Sequence, residues 1–225
     1  VVVLHCGGCV MTAVNICGLT TPEIVAAALD AGADMVGLVF YARSPRHVSL
    51  EQAAGLAAQA RGRAAIVALT VDASDAELAA IVQGVEPDFV QAHGAETPER
   101  IAAIHALTGL PVIKAIKVRD AGDVAAAAAF SEAAFLILYD AKAPEALTGA
   151  LPGGNGLAFD WNLLGHGHSM RRFMLSGGLN PDNVARAITV TEAPIVDVSS
   201  GVERAPGVKD EALIRKFIEQ AKRHG

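Results

Sequence analysis

Eight short β-branched or apolar runs, separated by Ala-rich segments of helical period, constrain the fold of this chain more than any other feature. They are Val14 to Cys17, Met35 to Phe40, Ala65 to Val71, Phe89 to Gln91, Val112 to Ile116, Phe135 to Tyr139, Phe173 to Leu175 and Ile195 to Val198. Runs as continuously apolar as Val36 to Phe40 suit strands covered on both faces, which means a parallel sheet whose crossovers all share one hand. Eight such units close on themselves. The expected fold class is therefore α/β, a (β/α)8 TIM barrel in one domain over residues 14–225, with residues 1–13 as an N-terminal extension. A six-strand doubly wound sheet is the alternative, since periodicity alone does not show closure. The 225 residues lie near the ~250 typical of such a barrel.

Helix-start chemistry recurs between the runs. Thr21-Pro22-Glu23, Thr97-Pro98-Glu99 and Asn180-Pro181-Asp182 each place a capping side chain before a proline and an acid, and Ser74-x-x-Glu77 fits a capping box. In the first helix Ile24, Val25, Ala28 and Leu29 make an apolar face, with Glu23 and Asp30 off it, and Gly32 is the expected stop. One connection breaks the rhythm. About twenty residues rich in Gly and Pro (Pro144, Gly149, Pro152, Gly153, Gly154, Asn155, Gly156) lead to Phe159-Asp160-Trp161, and a connection that long at the C-terminal rim of a barrel is expected to cover the site or to be a tolerated insertion.

The net charge of −6 supplies no electrostatic footprint for nucleic acid or an anionic membrane, so any phosphate must be held locally. With 52% apolar residues the chain has ample core material and is not disordered. Cys6, Cys9 and Cys17 are too few for a disulfide scaffold and point to a reducing, cytoplasmic location. Residues 1–22 carry no formal charge, but they lack a basic start and are interrupted by His5, Asn15 and glycines, which argues against a signal or membrane segment.

In a barrel, polar residues at the C-terminal ends of strands are the candidates for chemistry. Cys17 ends the first run and Asp140 follows the sixth. A strand cysteine is often an inert hydrophobe and an acid after a strand often a cap, but together at the rim they describe an acid/base pair. Ser176-Gly177-Gly178 after the seventh run and Ser199-Ser200-Gly201 after the eighth are where barrels hold phosphate, with a helix expected to start near Asn180-Pro181. His93, in Gln91-Ala92-His93-Gly94, either touches substrate or caps a turn. The Cys6-x-x-Cys9 motif has no second pair to complete a zinc site, and His166-Gly-His168 is too closely spaced to favour a metal. No metal is expected.

Taken in order, Asn15-Ile16-Cys17-Gly18-Leu19-Thr20, Ser44-Pro45-Arg46, Gln91-Ala92-His93-Gly94, Val112-Ile113-Lys114-Ala115, Tyr139-Asp140, Gly156-Leu157-Ala158-Phe159-Asp160-Trp161, Ser176-Gly177-Gly178-Leu179-Asn180 and Asp197-Val198-Ser199-Ser200-Gly201-Val202-Glu203 resemble the phosphoribosylanthranilate isomerase family of tryptophan biosynthesis. The likeness runs from about Met11 to the C-terminus.

The resemblance implies a cofactor-free Amadori rearrangement of a small phosphosugar, N-(5-phosphoribosyl)anthranilate. Asp140 would be the general acid, Cys17 the general base, Arg46 the partner of the anthranilate carboxylate, and Gly177, Gly178, Ser199, Ser200 and Gly201 the phosphate site. Asn15, His93, Lys114 and Asp197 are further substrate-site candidates. The resemblance leaves monomer or homodimer open. A related phosphosugar isomerase of histidine biosynthesis is the alternative enzyme, although such enzymes resemble an arrangement with aspartate where this chain has Cys17. A catalytically impaired binding barrel is the alternative without turnover.

One position departs from the family. Asn15 stands where the family usually has lysine, on the strand face of Cys17. The missing ammonium is expected to leave the thiol harder to ionise and turnover weaker or shifted to alkaline pH.

Overall fold

A computed structural model describes residues 12–142, 153, 154, 156, 158–164 and 173–224. Its eight parallel strands are β1 (Ala13–Cys17), β2 (Met35–Phe40), β3 (Ala65–Thr70), β4 (Phe89–Ala92), β5 (Val112–Val118), β6 (Leu136–Ala141), β7 (Phe173–Leu175) and β8 (Ile195–Val198). They pair in sequence order, and β1 pairs with β8 through Ala13 with Ile195 and Asn15 with Asp197, closing the barrel and excluding the doubly wound alternative. Ala13 lies in β1, and the Thr12 hydroxyl donates to the Ala193 carbonyl at 3.2 Å, so the barrel begins slightly before residue 14. Cys6, Cys9, His166 and His168 fall outside the described residues, as does most of the Gly/Pro-rich connection.

The helices are α1 (Pro22–Asp30), α2 (Leu50–Ala60), α3 (Asp75–Val85), α4 (Pro98–Thr108), α5 (Ala121–Ala126), α6 (Val184–Thr191) and α7 (Glu211–Arg223). Thr21 and Thr97 cap α1 and α4 ahead of their prolines, and Ser74 and Glu77 form the capping box of α3. A second capping box, Ser49 with Gln52, opens α2. Asn180 does not start a helix. Its side chain accepts from the Asp182 N–H and its own N–H donates to Asn183 Oδ1, building a turn that delays α6 to Val184. Asn and Asp compete for the backbone in this way wherever a turn is locally available.

Strand period turns the barrel interior into layers. Met35, Val67, Phe89, Ile113, Ala115, Leu136, Leu138 and Met174 form one apolar cluster. Two residues further along the same strand faces, the side chains become polar: Phe89 is followed by Gln91 and Leu138 by Asp140. A second, larger cluster, including Val14, Ile16, Val36, Ile137, Val196, Ile214 and Phe217, fills the space between strands and helices. Each fully buried Ile or Leu there contributes about 1.5–3 kcal/mol. A small antiparallel hairpin, β9 (Glu203–Ala205) with β10 (Val208–Lys209), follows β8 and was not expected from periodicity. No helix among the described residues is long and apolar enough to cross a membrane.

Candidate active site

A cavity of roughly 740 Å³, counting its open mouth, lies at the C-terminal ends of the strands. Cys17 and Asp140 both line it, together with Arg46, His93, Asp197, Gly177, Gly178, Ser199 and Ser200. It therefore gathers most of the residues expected from the sequence, from segments far apart in the chain. Ser176, Tyr41, Ser44, Gly153 and Gly154 line it as well.

The floor of the cavity is an acid held by neutral donors. Asp197 Oδ1 accepts from Asn15 Nδ2 and Oδ2 from Ser176 Oγ, each at 2.8 Å. Burial pushes the Asp197 carboxyl up to about 6, against the pull of the Ser176 hydrogen bond. Burial, and then the negative charge of Asp197, also push the Cys17 thiol well above its ordinary range. Lys209 and Arg46 act in the opposite direction but do not prevail. The balance favours the protonated thiol. Asn15 faces Asp197 and does not itself line the cavity.

Arg46 is set by a network around the β9–β10 hairpin. Its Nε and Nη2 reach the two carboxylate oxygens of Glu203 at 2.7 and 2.9 Å, a two-pronged contact, and Nη2 also lies 3.4 Å from the Gly154 carbonyl. Lys209 Nζ donates to Glu203 Oε1 at 2.8 Å and to the Ser199 carbonyl and hydroxyl at 2.9 and 3.2 Å. The Ser199 hydroxyl in turn donates to the Cys17 carbonyl at 3.1 Å. Burial raises the Glu203 carboxyl, but the hydrogen bonds and charges of Arg46 and Lys209 outweigh it and hold the group below its usual range. Arg46 and Lys209 share this one carboxylate; burial lowers the Lys209 ammonium, and Glu203 pulls it back up. Sequence reasoning had assigned no role to Glu203 and missed Lys209; the Pro206-Gly207 turn between them was the available signal.

The opposite wall carries Asp140. Its Oδ1 accepts from the Ala141 N–H at 2.9 Å and its Oδ2 lies 3.2 Å from His93 Nε2. His93 Nδ1 lies 3.1 Å from Gln91 Nε2.

Besides Asn15, two expected site residues are not among those that line the cavity. Lys114 shares its register with Ala92, on the helix-facing side of the sheet, because it is offset by one residue from the inward Ile113 and Ala115. Its ammonium donates to Glu96 at 2.7 Å and to the Gly94 carbonyl at 2.8 Å, fixing the turn beyond His93. Gly201 packs against the backbone of Leu179 and Asn180. A Cβ there would sit 1.8 Å from the Leu179 carbonyl oxygen, so its glycine lets the loops after β7 and β8 touch. No cluster of metal-ligating side chains occurs among the described residues.

Comparison with known proteins agrees with the geometry. The family profile for N-(5'phosphoribosyl)anthranilate (PRA) isomerase matches residues 14–220. The N-(5'-phosphoribosyl)anthranilate isomerase of Rhodopseudomonas palustris is 56% identical over 209 residues, covering 93% of this chain and 95% of its own, and that of Parvibaculum lavamentivorans is 51% identical over 210 residues, covering 93% and 98%. Among solved structures, the phosphoribosyl anthranilate isomerase of Thermotoga maritima superposes with a TM-score of 0.84 at 38% identity, covering 94% of this chain and 99% of its own. A phosphoribosyl anthranilate isomerase in complex with reduced 1-(o-carboxyphenylamino)-1-deoxyribulose 5-phosphate gives 0.81 at 35% identity, with the same coverage. With a match over nearly all of its barrel, this chain belongs to the N-(5'-phosphoribosyl)anthranilate isomerase family.

Proposed function

We propose that the chain converts N-(5-phosphoribosyl)anthranilate to 1-(o-carboxyphenylamino)-1-deoxyribulose 5-phosphate, with Asp140 as general acid and Cys17 as general base. The observation that carries the assignment is the meeting of a thiol from β1 and a carboxyl from β6 on one cavity, with Arg46 and two Gly/Ser loops around them. The substrate's phosphate would lie on Gly177, Gly178, Ser199 and Ser200, and its carboxylate toward Arg46. Glu203 occupies Nε and Nη2 of that guanidinium, so Nη1 is the end left for a ligand. Holding both anionic ends uses binding energy remote from the reacting carbons to orient the sugar.

The chemistry needs two different groups. The ring oxygen leaves C1 only when it is protonated, which is the role of Asp140. Ring opening produces a cationic C1–N bond, which acidifies the proton on C2, and its positive charge favours the thiolate that the empty site disfavours. Cys17 then takes the C2 proton to give an enolamine. Moving that proton to C1 while the C2 hydroxyl loses its own yields the ketone, so the reaction is proton-neutral overall and draws on no cofactor.

The test is to supply freshly made substrate to purified protein and to follow loss of its anthranilate fluorescence. Cys17→Ala and Asp140→Asn are each expected to lower kcat by roughly 10²–10⁴ with the fold retained. Near-normal rates in either would overturn that residue's role, and no turnover by the unaltered chain would overturn the isomerase reading. The protonated thiol beside Asn15 favours one second reading, a barrel that binds the phosphosugar with little turnover at neutral pH. Tight binding of a product analogue without catalysis would select it.

A further inference from the structure

Two buried groups of the cavity wall have no part in these steps. One is the His93 imidazole, which touches Asp140, and the other is the side-chain oxygen of Gln91. Gln91 is 0% exposed and His93 5%. Gln91 Nε2 faces His93 Nδ1, while Gln91 Oε1 is buried without a hydrogen-bond partner. Leaving a buried amide oxygen unpaired costs about 1–3 kcal/mol, so a function for it is worth seeking.

The geometry has two consistent hydrogen arrangements. With one N–H on the imidazole, the Gln91 amide donates to a bare Nδ1 and the Nε2–H donates to the Asp140 carboxylate. With an N–H on both nitrogens, the Nδ1–H needs an acceptor, and a half-turn of the amide supplies one in the atom that is otherwise orphaned. The two ends of an amide have the same shape, so the turn requires no other movement. Gly153 covers the contact: a Cβ there would lie 2.8 Å from His93 Nε2 and 2.9 Å from Asp140 Oδ2.

We propose that Gln91 and His93 form a proton-holding arm behind Asp140, in which the imidazole shares the acid's proton and the Gln91 amide turns to accept from Nδ1 whenever the arm is loaded. The inference rests on the reading of Asp140 as general acid. His93 acts through Asp140 and is a positioning residue. In the loaded arm one proton lies between Nε2 and Oδ2. On ring opening the Oδ2–H bond breaks, an O–H bond forms at the ring oxygen, and the C1–O bond breaks with both electrons passing to that oxygen. Asp140 remains as carboxylate beside a neutral imidazole that keeps its hydrogen on Nδ1, still accepted by the Gln91 oxygen. The arm recovers its proton when the C2 hydroxyl of the enolamine loses hydrogen to become the carbonyl, while C1 receives the proton that Cys17 took from C2.

The charged and titratable groups around the arm come from several strands. Asp140 is on β6, Asp197 on β8 interacts electrostatically with His93, and Cys17 on β1 with Asp140. Lys117 on β5 shares register with Asp140 and so the same sheet face. Next to His93 in sequence, the Gly94 N–H is held by Glu96, which is neutralised by Lys114, and Asp72 accepts from the Ala95 N–H.

Two measurements test the arm. In whole, substrate-free protein carrying 15N-labelled histidine and glutamine, acidification is expected to place hydrogen on both His93 nitrogens and to shift the Gln91 amide resonances with the same midpoint. Asp140→Asn, which takes away the carboxylate that Nε2 faces, should change the His93 Nε2 resonance. A His93 that keeps a single N–H throughout, or an amide that does not respond, overturns the proposal. In turnover, His93→Asn still offers Asp140 an N–H but holds no proton. It should lower kcat about 10–100-fold near pH 8 and distinctly less near pH 6, with KM changed by less than about threefold. Gln91→Met, of similar volume but without the acceptor, should act in the same direction. A loss equal at both pH values overturns the proton-holding role. The resonance measurement uses the empty enzyme, so failure of the arm leaves turnover by the unaltered chain intact, and failure of the isomerase reading shows as absent turnover whatever the resonances do.

Discussion

The two walls of the cavity are stabilised by opposite means. On the β1–β8 side, Arg46, Glu203, Lys209 and Ser199 form a closed network in which the buried carboxylate meets both cations and the Lys209 ammonium has three acceptors. On the β4–β6 side, Gln91, His93 and Asp140 form a single file that ends in an unpaired oxygen. On the first side, Arg46 and Ser199 line the cavity, and Glu203 and Lys209 hold them in place. The second leaves one acceptor free, which is the condition for moving a proton without rebuilding the wall. A closed ion network on one side is thus set against a single file of hydrogen bonds on the other.

Unequal responses to mutation should follow. Glu203→Gln removes the only anion of the closed wall and leaves two buried cations facing an amide. Loss of one partner from a buried ion cluster costs about 3–5 kcal/mol, so denaturant unfolding should register a fall of that size, with KM rising as Arg46 loses its brace. Gln91→Met on the other wall removes one hydrogen bond together with an orphan oxygen, and should cost no more than about 1 kcal/mol. Equal losses in the two variants would remove the distinction between the walls.

Asp197 lies between the walls and sharpens the comparison through pH. Its carboxyl rises from the ordinary 3.8 to about 6 in the folded chain, so folding favours its protonated form. That advantage is complete below about pH 4 and is lost as pH rises through about 6, a change on the order of 3 kcal/mol for two units. Asp197→Asn keeps the size and has no proton to lose. The difference in unfolding free energy between variant and parent should therefore grow in the variant's favour from pH 4 to 6 and level off above. A difference that is flat over this range would mean that the donors from Asn15 and Ser176 already offset the burial of the charge.

Much of the barrel was legible in the sequence because strand and helix leave different periods. All eight runs became strands, and Phe173–Leu175 and Ile195–Val198 match to the residue. What went unread was parity and cross-chain pairing. Lys114 was a substrate-site candidate through the family resemblance, and its offset of one from Ile113 turns it to the helix side, where it pairs with Glu96. Lys209 enters the site through a two-residue strand too short to leave a periodic signal. Asn180 carried a genuine helix-start pattern, but its side chain closes a turn first. That Cys17 and Asp140 line the cavity was legible from strand-end position alone. Glu203, Gln91 and Ser176 become meaningful only when strands distant in sequence stand side by side.

Asn15 offers the smallest and most local test of the saturated wall against the vacant one. Its Nδ2 satisfies one oxygen of Asp197, but its Oδ1 is buried without a partner and it brings no charge toward Cys17. Lysine at this position would place an ammonium against the Asp197 carboxylate, on the strand face of the thiol. Above about pH 6 Asp197 already carries its charge, so the only new field at the sulfur is the ammonium's, and it favours thiolate. With Cys6 and Cys9 replaced by serine, the ultraviolet thiolate absorbance of Asn15→Lys should therefore titrate about one pH unit lower than that of its parent, and neutral-pH turnover should rise with it. An unmoved midpoint would show that the new ammonium is offset by the Asp197 carboxylate and lends nothing to the sulfur.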